Sequence, residues 1–315
     1  MLERNRPVGQ LFQKKEIFAV GGGKGGTGKS FFAVNLAIVL ARGNHRTLLI
    51  DADLGGANLH TCLGIPAPES TLSDFIQSPT LRIEDVIVET PLANLRLISG
   101  AQDILDIANP KYTQKIKLIR AIQTLEIDFV ILDLGAGTNY NTLDFFMVAD
   151  KGILVVVPEP TSIENAYRFI KSALYRKLKM LASDPQTKGI IEKAMDKKNA
   201  YGLRTPVELL DFITQENATT GEFLRREMNR FQPRIVLNQV RSLADVRIGY
   251  LMQNACRKYF GVQVDFLGYI ENDDQVWQSV RKRQPITLNG GYSKITQSFQ
   301  IITQNLIQGL QLKPE

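Results

Sequence analysis

Along most of the chain, short apolar runs alternate with stretches whose apolar residues recur at helical spacing. Ile17-Phe18-Ala19-Val20 (a strand beginning near Glu16), Thr47 to Asp53, Ile127 to Asp133, Gly152 to Val157 and Arg234 to Asn238 are strand-length, and Leu95 to Ser99 gives a shorter one. Strands buried on both faces read as continuous apolar runs, so these predict a sheet covered by helices on both sides. Between them, Ser30 to Arg42 carries Phe32, Asn35, Leu36, Val39 and Leu40 at helical spacing, with Arg42-Gly43 as a stop. Lys111 to Leu125 predicts another helix, and Ser293 to Leu310 a closing one with Ile295, Phe299, Ile302, Leu306 and Leu310 on one face. Thr161-Ser162-Ile163-Glu164 has capping-box spacing and opens a helix whose Tyr167, Ile170, Leu174 and Leu178 form an apolar stripe, read as core packing, with a basic amphipathic face for lipid or DNA as the alternative. Strand–helix alternation predicts an α/β fold, a doubly wound, mainly parallel sheet flanked by helices.

One segment breaks the alternation. Roughly sixty residues separate Lys171 from the strand at Arg234, far more than an ordinary crossover, with helical patterns around 188–198, 206–215 and 221–231. They read as a helical insertion at about 175–232 within a single domain spanning 16–315, preceded by a polar leader over 1–15.

Composition narrows the function. The 315 residues are 44% hydrophobic, enough for a full core, and no apolar run is long enough to span a bilayer. The opening residues lack a signal-peptide core, so the expected location is the cytoplasm, with peripheral attachment to a membrane or cell pole open. Cys62 and Cys256 lie far apart without Cys-x-x-Cys spacing and read as reduced and structural, which argues against iron–sulfur chemistry. His45 and His60 have no second ligand nearby and read as surface or loop residues. Of the net charge of +6, most sits between Lys171 and Arg234, where thirteen Lys and Arg face eight acids. That excess suits DNA, anionic lipid or an acidic partner, or simply a solvated helical face.

The chemistry concentrates in Gly23-Lys24-Gly25-Gly26-Thr27-Gly28-Lys29-Ser30, between the first strand and the first helix. Its spacing is that of a P-loop: glycines let backbone N–H groups curl around phosphate oxygens, and the helix adds the positive end of its dipole. Lys29 would reach the β and γ phosphates and Ser30 would hold magnesium. Acids at strand ends arrive beside the same phosphates: Asp51 and Asp53 after the second strand, Asp133 after the Ile127 strand. Asp133 meets the requirement of a Walker B element, which holds magnesium through water. The glycine-rich Leu54-Gly55-Gly56-Ala57-Asn58-Leu59 and Leu134-Gly135-Ala136-Gly137 are the flexible loops that could sense the γ-phosphate.

The extra lysine inside the loop, Lys24, makes this a deviant Walker A motif, and with the blocks above the sequence resembles the MinD/ParA family of P-loop ATPases. The stretch from Pro158 to Lys171 is most similar to its FlhG/FleN branch, which sets flagellar number and place. The resemblance implies a P-loop NTPase fold of the MinD/ParA/SIMIBI type that binds ATP or ADP with Mg2+ and hydrolyses ATP slowly. It implies a homodimer when ATP is bound, with Lys24 reaching the partner's nucleotide, and an activating or cargo protein. It gives catalytic roles to Lys24, Lys29 and Asp53, the last positioning water. Nucleotide contacts fall on Gly23, Gly25, Gly26, Thr27, Gly28, Lys29, Ser30, Phe31, Asn58 and Gly135, with Asn238 and Gln239 at adenine and Ile270 and Glu271 bordering the base. Glu271 stands where the family has proline. The metal shell falls on Ser30, Asp51, Asp53 and Asp133. The C-terminus lacks the family's basic lipid anchor, and the N-terminus lacks the activator motif of many FlhG proteins. A DNA-binding partition ATPase of the ParA type, docking through the basic insertion, is the main alternative; a metal-cluster carrier or an amidoligase fits less well.

Overall fold

The computed structural model describes residues 15–53, 56–100, 112–195, 201–289 and 293–313. The leader over 1–14, Leu54 and Gly55 of the first glycine-rich loop, Lys111, and the 196–200 part of the insertion lie outside them. In chain order the elements are β1 (Glu16–Gly21), α1 (Lys29–Arg42), β2 (Thr47–Ala52), α2 (Leu59–Cys62), α3 (Leu72–Gln77), β3 (Val88–Glu89), β4 (Leu95–Ile98), α4 (Tyr112–Thr124), β5 (Phe129–Leu134), α5 (Tyr140–Val148), β6 (Lys151–Val156), α6 (Pro160–Leu181), α7 (Pro185–Met195), α8 (Pro206–Glu216), α9 (Ala218–Asn229), β7 (Arg234–Val240), α10 (Leu243–Ala255), β8 (Asp265–Glu271), α11 (Asp274–Arg281) and α12 (Lys294–Gln308).

The strands form an eight-stranded sheet in the order β3-β4-β2-β5-β1-β6-β7-β8. Every pairing is parallel except β3 with β4. The two-residue β3 is too short to leave a periodic signal in the sequence. β1 pairs β5 on one side and β6 on the other, while α1 carries the chain past β5 to β2. Strand order therefore reverses at β1, and an open parallel sheet has its crevice at the carboxyl ends around such a point. In register, Asp133 of β5 lies between Val20 of β1 and Asp51 of β2, so two acids reach that crevice side by side.

Apolar residues of alternate parity fill two cores. Ile17, Ala19, Ile50, Val130 and Leu132 face one side, and Phe18, Val20, Leu49 and Ile131 the other. α1 and α12 close the second core, and α1 is buried over most of its circumference. Asn35, sitting among its apolar positions, is satisfied there: its amide donates to the Phe31 carbonyl at 2.8 Å, and its oxygen accepts from the Thr287 N–H and hydroxyl. In the long crossover, Ile191, Leu209, Ile213, Leu224 and Met228 join the same core as Ile17 and Val130. Ile170, Leu174 and Leu178 are fully buried there too, with Tyr167 packed at the margin, so the stripe on α6 is core.

Three local expectations are corrected. α6 begins at Pro160 with Glu159 as its cap residue, so no Thr161–Glu164 capping box forms; proline at the first helical position sets the start, and the Ser162 hydroxyl instead accepts from the Val157 N–H at 3.0 Å. Leu310 is half-exposed, because Gly309 in the left-handed region ends α12 before it. His60 lies within α2, whereas His45 stays in a loop, edge-on to Phe129.

A buried ion triad ties three helices together. Asp144 of α5 accepts from Lys115 of α4 at 2.6 Å and from Arg176 of α6 at 2.9 Å, and Arg176 lies over the Tyr140 ring. Burial opposes ionisation of Asp144, but the hydrogen bonds from Arg176 and Lys115 outweigh it and hold the carboxyl below its usual range. Removing one partner from a buried pair leaves the other charge uncompensated. Asp144→Asn is expected to destabilise the protein by about 3 kcal/mol at neutral pH. Because the folded carboxyl titrates lower than the unfolded one, this difference shrinks as pH falls through that lowered value; urea unfolding of both proteins at neutral and acid pH measures it.

Candidate nucleotide site

The loop after β1 wraps the start of α1. Gly26 and Gly28 have φ of +77° and +89°, which side-chain-bearing residues rarely adopt, and Gly28 is the residue before the helix. A Cβ on Gly23 would come within 2.3 Å of the Asn165 backbone on α6, and one on Gly28 within 2.3 Å of the Asn238 amide. Thus two loop glycines are required by close approach and two by conformation, with Gly28 in both sets, while the positions around Gly25 and Gly26 are open. The loop is also tied to its neighbours, since the Gly137 N–H donates to the Gly22 carbonyl at 3.2 Å and Asn238 donates to the Thr27 carbonyl at 2.9 Å.

Charge is concentrated beneath this loop. Asp133 is buried, one of its carboxylate oxygens has no partner, and the Ser30 hydroxyl hydrogen-bonds to its carboxylate. Burial, followed by the neighbouring Asp51, pushes Asp133 up to about 8. Asp51 is raised to about 6, again chiefly by burial. Its environment differs, because one oxygen accepts from the Asn58 and Leu59 N–H groups and the other from that of Asp53. Asp51 therefore anchors the backbone of its own glycine-rich loop. Burial lowers the Lys29 ammonium against the opposing pull of Asp133 and Asp53, and it donates to the Lys24 carbonyl at 3.4 Å. A buried carboxylate with an idle oxygen beside a serine hydroxyl is the donor set a hard cation takes, so Asp133 and Ser30 fit magnesium.

Asp53, just past β2, lies between the two glycine-rich loops. A Cβ on Gly135 would meet its carboxylate at 2.9 Å and one on Gly56 at 3.4 Å. The arrangement brings Lys29, Ser30, Asp51, Asp53, Asp133 and Gly135 together. Asn58 is exposed at the end of the same loop, its side-chain oxygen 3.8 Å from the Cys62 sulfur.

A separate cavity of ≈ 340 Å³ opens beside the loop, lined by Gly28, Phe31, Asn238, Gln239, Glu271 and Trp277 among others. It gathers the residues expected at the base, with two differences. Asn238 donates its amide to Thr27, and Ile270 is not among the lining residues, its side chain being buried in the core. Glu271 pairs with Lys294 at 3.8 Å. Trp277, largely exposed, and Gln239, with φ of +61°, complete this edge.

Lys24 stands at the margin. Its ammonium bonds Glu159 at 3.2 Å and the Thr161 hydroxyl at 3.1 Å, both at the start of α6. Sequence reasoning missed these partners, as it missed Trp277. The Pro158-Glu159-Pro160 text stood out in the chain, but nothing in linear order pairs residue 24 with residue 159.

Comparison with known proteins agrees with this geometry. A ParA family profile, described as the NUBPL iron-transfer P-loop NTPase, matches residues 13–192. The antiactivator FleN of Pseudomonas aeruginosa is 35% identical over 180 residues, 54% of this chain and 63% of that protein. The flagellum site-determining protein YlxH of Helicobacter pylori is 29% identical over 163 residues, 50% of this chain and 53% of that one. The matched stretch thus spans less than two thirds of these relatives. Among solved structures, Pyrococcus furiosus cell division ATPase MinD superposes with a TM-score of 0.61 at 20% identity, covering 94% of this chain and 99% of that one. The Mg-ADP complex of Pyrococcus horikoshii MinD gives 0.61 at 18%, covering 96% and 100%. The two cysteines lie apart in the fold, Cys62 half-buried on α2 and Cys256 buried just past α10. With more than half of its length matching the profile and with a P-loop, paired acids and two glycine-rich loops at one crevice, this chain belongs to the ParA family of P-loop NTPases.

Proposed function

We propose that this protein is an ATP-dependent dimerisation switch that hydrolyses ATP slowly and controls the number or placement of a cellular structure such as a flagellum. The observation that carries the reading is the position of Lys24: a long, partly exposed cation in the phosphate loop, bonded to the exposed Glu159 and to the Thr161 hydroxyl. A charge placed there is available to a second copy, and exchange of its Glu159 contact for phosphate oxygens would link nucleotide binding to pairing. The resemblance to FleN and YlxH supports the flagellar role.

The residues divide the work. Backbone N–H groups of the loop and Lys29 bind phosphate oxygens; Ser30 and Asp133 would hold magnesium, which supplies positive charge at the same oxygens. Asp53 orients the attacking water, and its contact with both glycine-rich loops lets loss of the cleaved phosphate loosen them together. Asp51 keeps the first loop in place through three backbone N–H bonds. In the insertion, the motivation for a DNA-docking alternative, Lys179, Arg225 and Arg230 are bonded to Glu192, Asp211 and Glu227, and the net basic excess stays in place.

Lys24→Ala is expected to abolish ATP-dependent dimerisation in sedimentation-velocity runs while ADP affinity stays within about threefold, which is under 1 kcal/mol; a variant that still pairs with ATP overturns the cross-subunit role. Asp53→Ala should leave that dimer intact and lower its steady-state phosphate release by about 100-fold, the scale of a lost general base or water-positioning group. Retained turnover would place water orientation elsewhere.

A further inference from the structure

α10 has two faces of opposite character. On the inner one, Val246, Gly249, Met252 and, just beyond the helix, Cys256 are buried, with Gly249 so close to the Phe266 ring that a Cβ would come within 2.6 Å. The outer one carries Leu243 at 76% exposure and Leu251 at 64%, and Tyr259 at 50% follows in the next turn. Leu243, Arg247 and Leu251 recur at four-residue spacing, so leucine, arginine and leucine share the solvent face, and exposed Arg257 and Lys258 extend it. Arg241, Arg247, Arg257 and Lys258 are the cations between 241 and 260, and Asp245 is the one acid. Asp245 is occupied by the Arg241 and Ser242 backbone N–H groups, and none of the four cations is in an ion pair among the described residues. The C-terminal tail runs alongside, its Lys313 carbonyl accepting from the Tyr250 hydroxyl at 2.8 Å, which brings a further exposed cation to this side.

We propose that the outer face of α10 docks on an anionic membrane surface, leucines in the headgroup–acyl boundary and cations at the lipid phosphates. Large apolar side chains interleaved with unpaired Lys and Arg on one helix face are the pattern of an interfacial helix. Nucleic-acid phosphates would reward the cations and leave both leucines in water. The other exposed apolar pair, Trp277 and Val280, fits anionic lipid less well because Asp273 and Asp274 stand at the start of its helix. The insertion supplies cations too, but Lys179, Arg225 and Arg230 among them are bonded to acids. Each cation near an anionic surface is worth about a fivefold gain in partitioning.

The proposal does not depend on dimerisation, so the test uses the full chain without nucleotide. The wild type is expected to co-sediment with phosphatidylglycerol vesicles, to stay in solution with phosphatidylcholine vesicles, and to be released as salt rises. Arg247→Gln/Lys258→Gln and, separately, Leu251→Gln should each lower partitioning about tenfold or more, whereas Lys188→Gln/Lys193→Gln on α7 should leave it unchanged. Circular dichroism melts of each variant separate lost docking from lost folding. Failure to sediment, equal sedimentation with both lipids, or wild-type partitioning by the folded α10 variants overturns the proposal. So does retention of duplex DNA that Arg247→Gln/Lys258→Gln removes and Leu251→Gln does not, with no vesicle binding.

Discussion

The site depends on an electrostatic imbalance that the fold creates and does not itself relieve. Parallel strands place Asp133 and Asp51 side by side in a buried position, with Lys29 as the buried cation beside them. Burial disfavours every charged form there, raising both carboxyls and lowering the ammonium. Asp51 is quieted by three backbone N–H groups, but Asp133 keeps an idle oxygen. A divalent cation and a polyphosphate answer both deficits at once. The glycines of the loop, the Asn238 clamp and the Gly137–Gly22 hydrogen bond hold the surrounding backbone around that imbalance.

Much of this architecture is legible in linear order. The apolar runs that become β1, β2, β5, β6 and β7 are continuous because helices cover both sheet faces, and the terminal acids of β2 and β5 project to the edge where the chain reverses. Glycine spacing between β1 and α1 is equally explicit, since φ near +80° and contacts closer than a Cβ allows leave few other residues possible. Boundaries were less visible. Thr161 and Glu164 have the spacing of a cap, yet Pro160 starts the helix, because a fixed φ and a missing N–H suit the first helical position whichever residues come after it.

What the sequence hides is pairing at a distance. The Lys24–Glu159 contact spans 135 positions, and the Asp144 triad joins residues from three helices. In sequence, Lys115 and Arg176 are simply cations on helical stretches. A charge count between Lys171 and Arg234 likewise does not show that Arg176, Lys179, Arg225 and Arg230 each have an acid in reach, although pairing leaves the net excess of the segment in place. The α10 face stands out for the opposite reason, being less basic by count but unpaired. Burial of Asn238's amide against Thr27 likewise shows a residue expected at the base first acting as a brace for the loop.

Trp277 is the only tryptophan in the chain, and its ring sits at the mouth of the cavity beside Gly28 with the Arg281 guanidinium 4.6 Å from its centre. Indole emission responds to the polarity and charge of its immediate surroundings. The protein therefore carries a single built-in optical probe at the rim of its base cavity, so that filling and emptying of this crevice can be followed in real time on unlabelled protein.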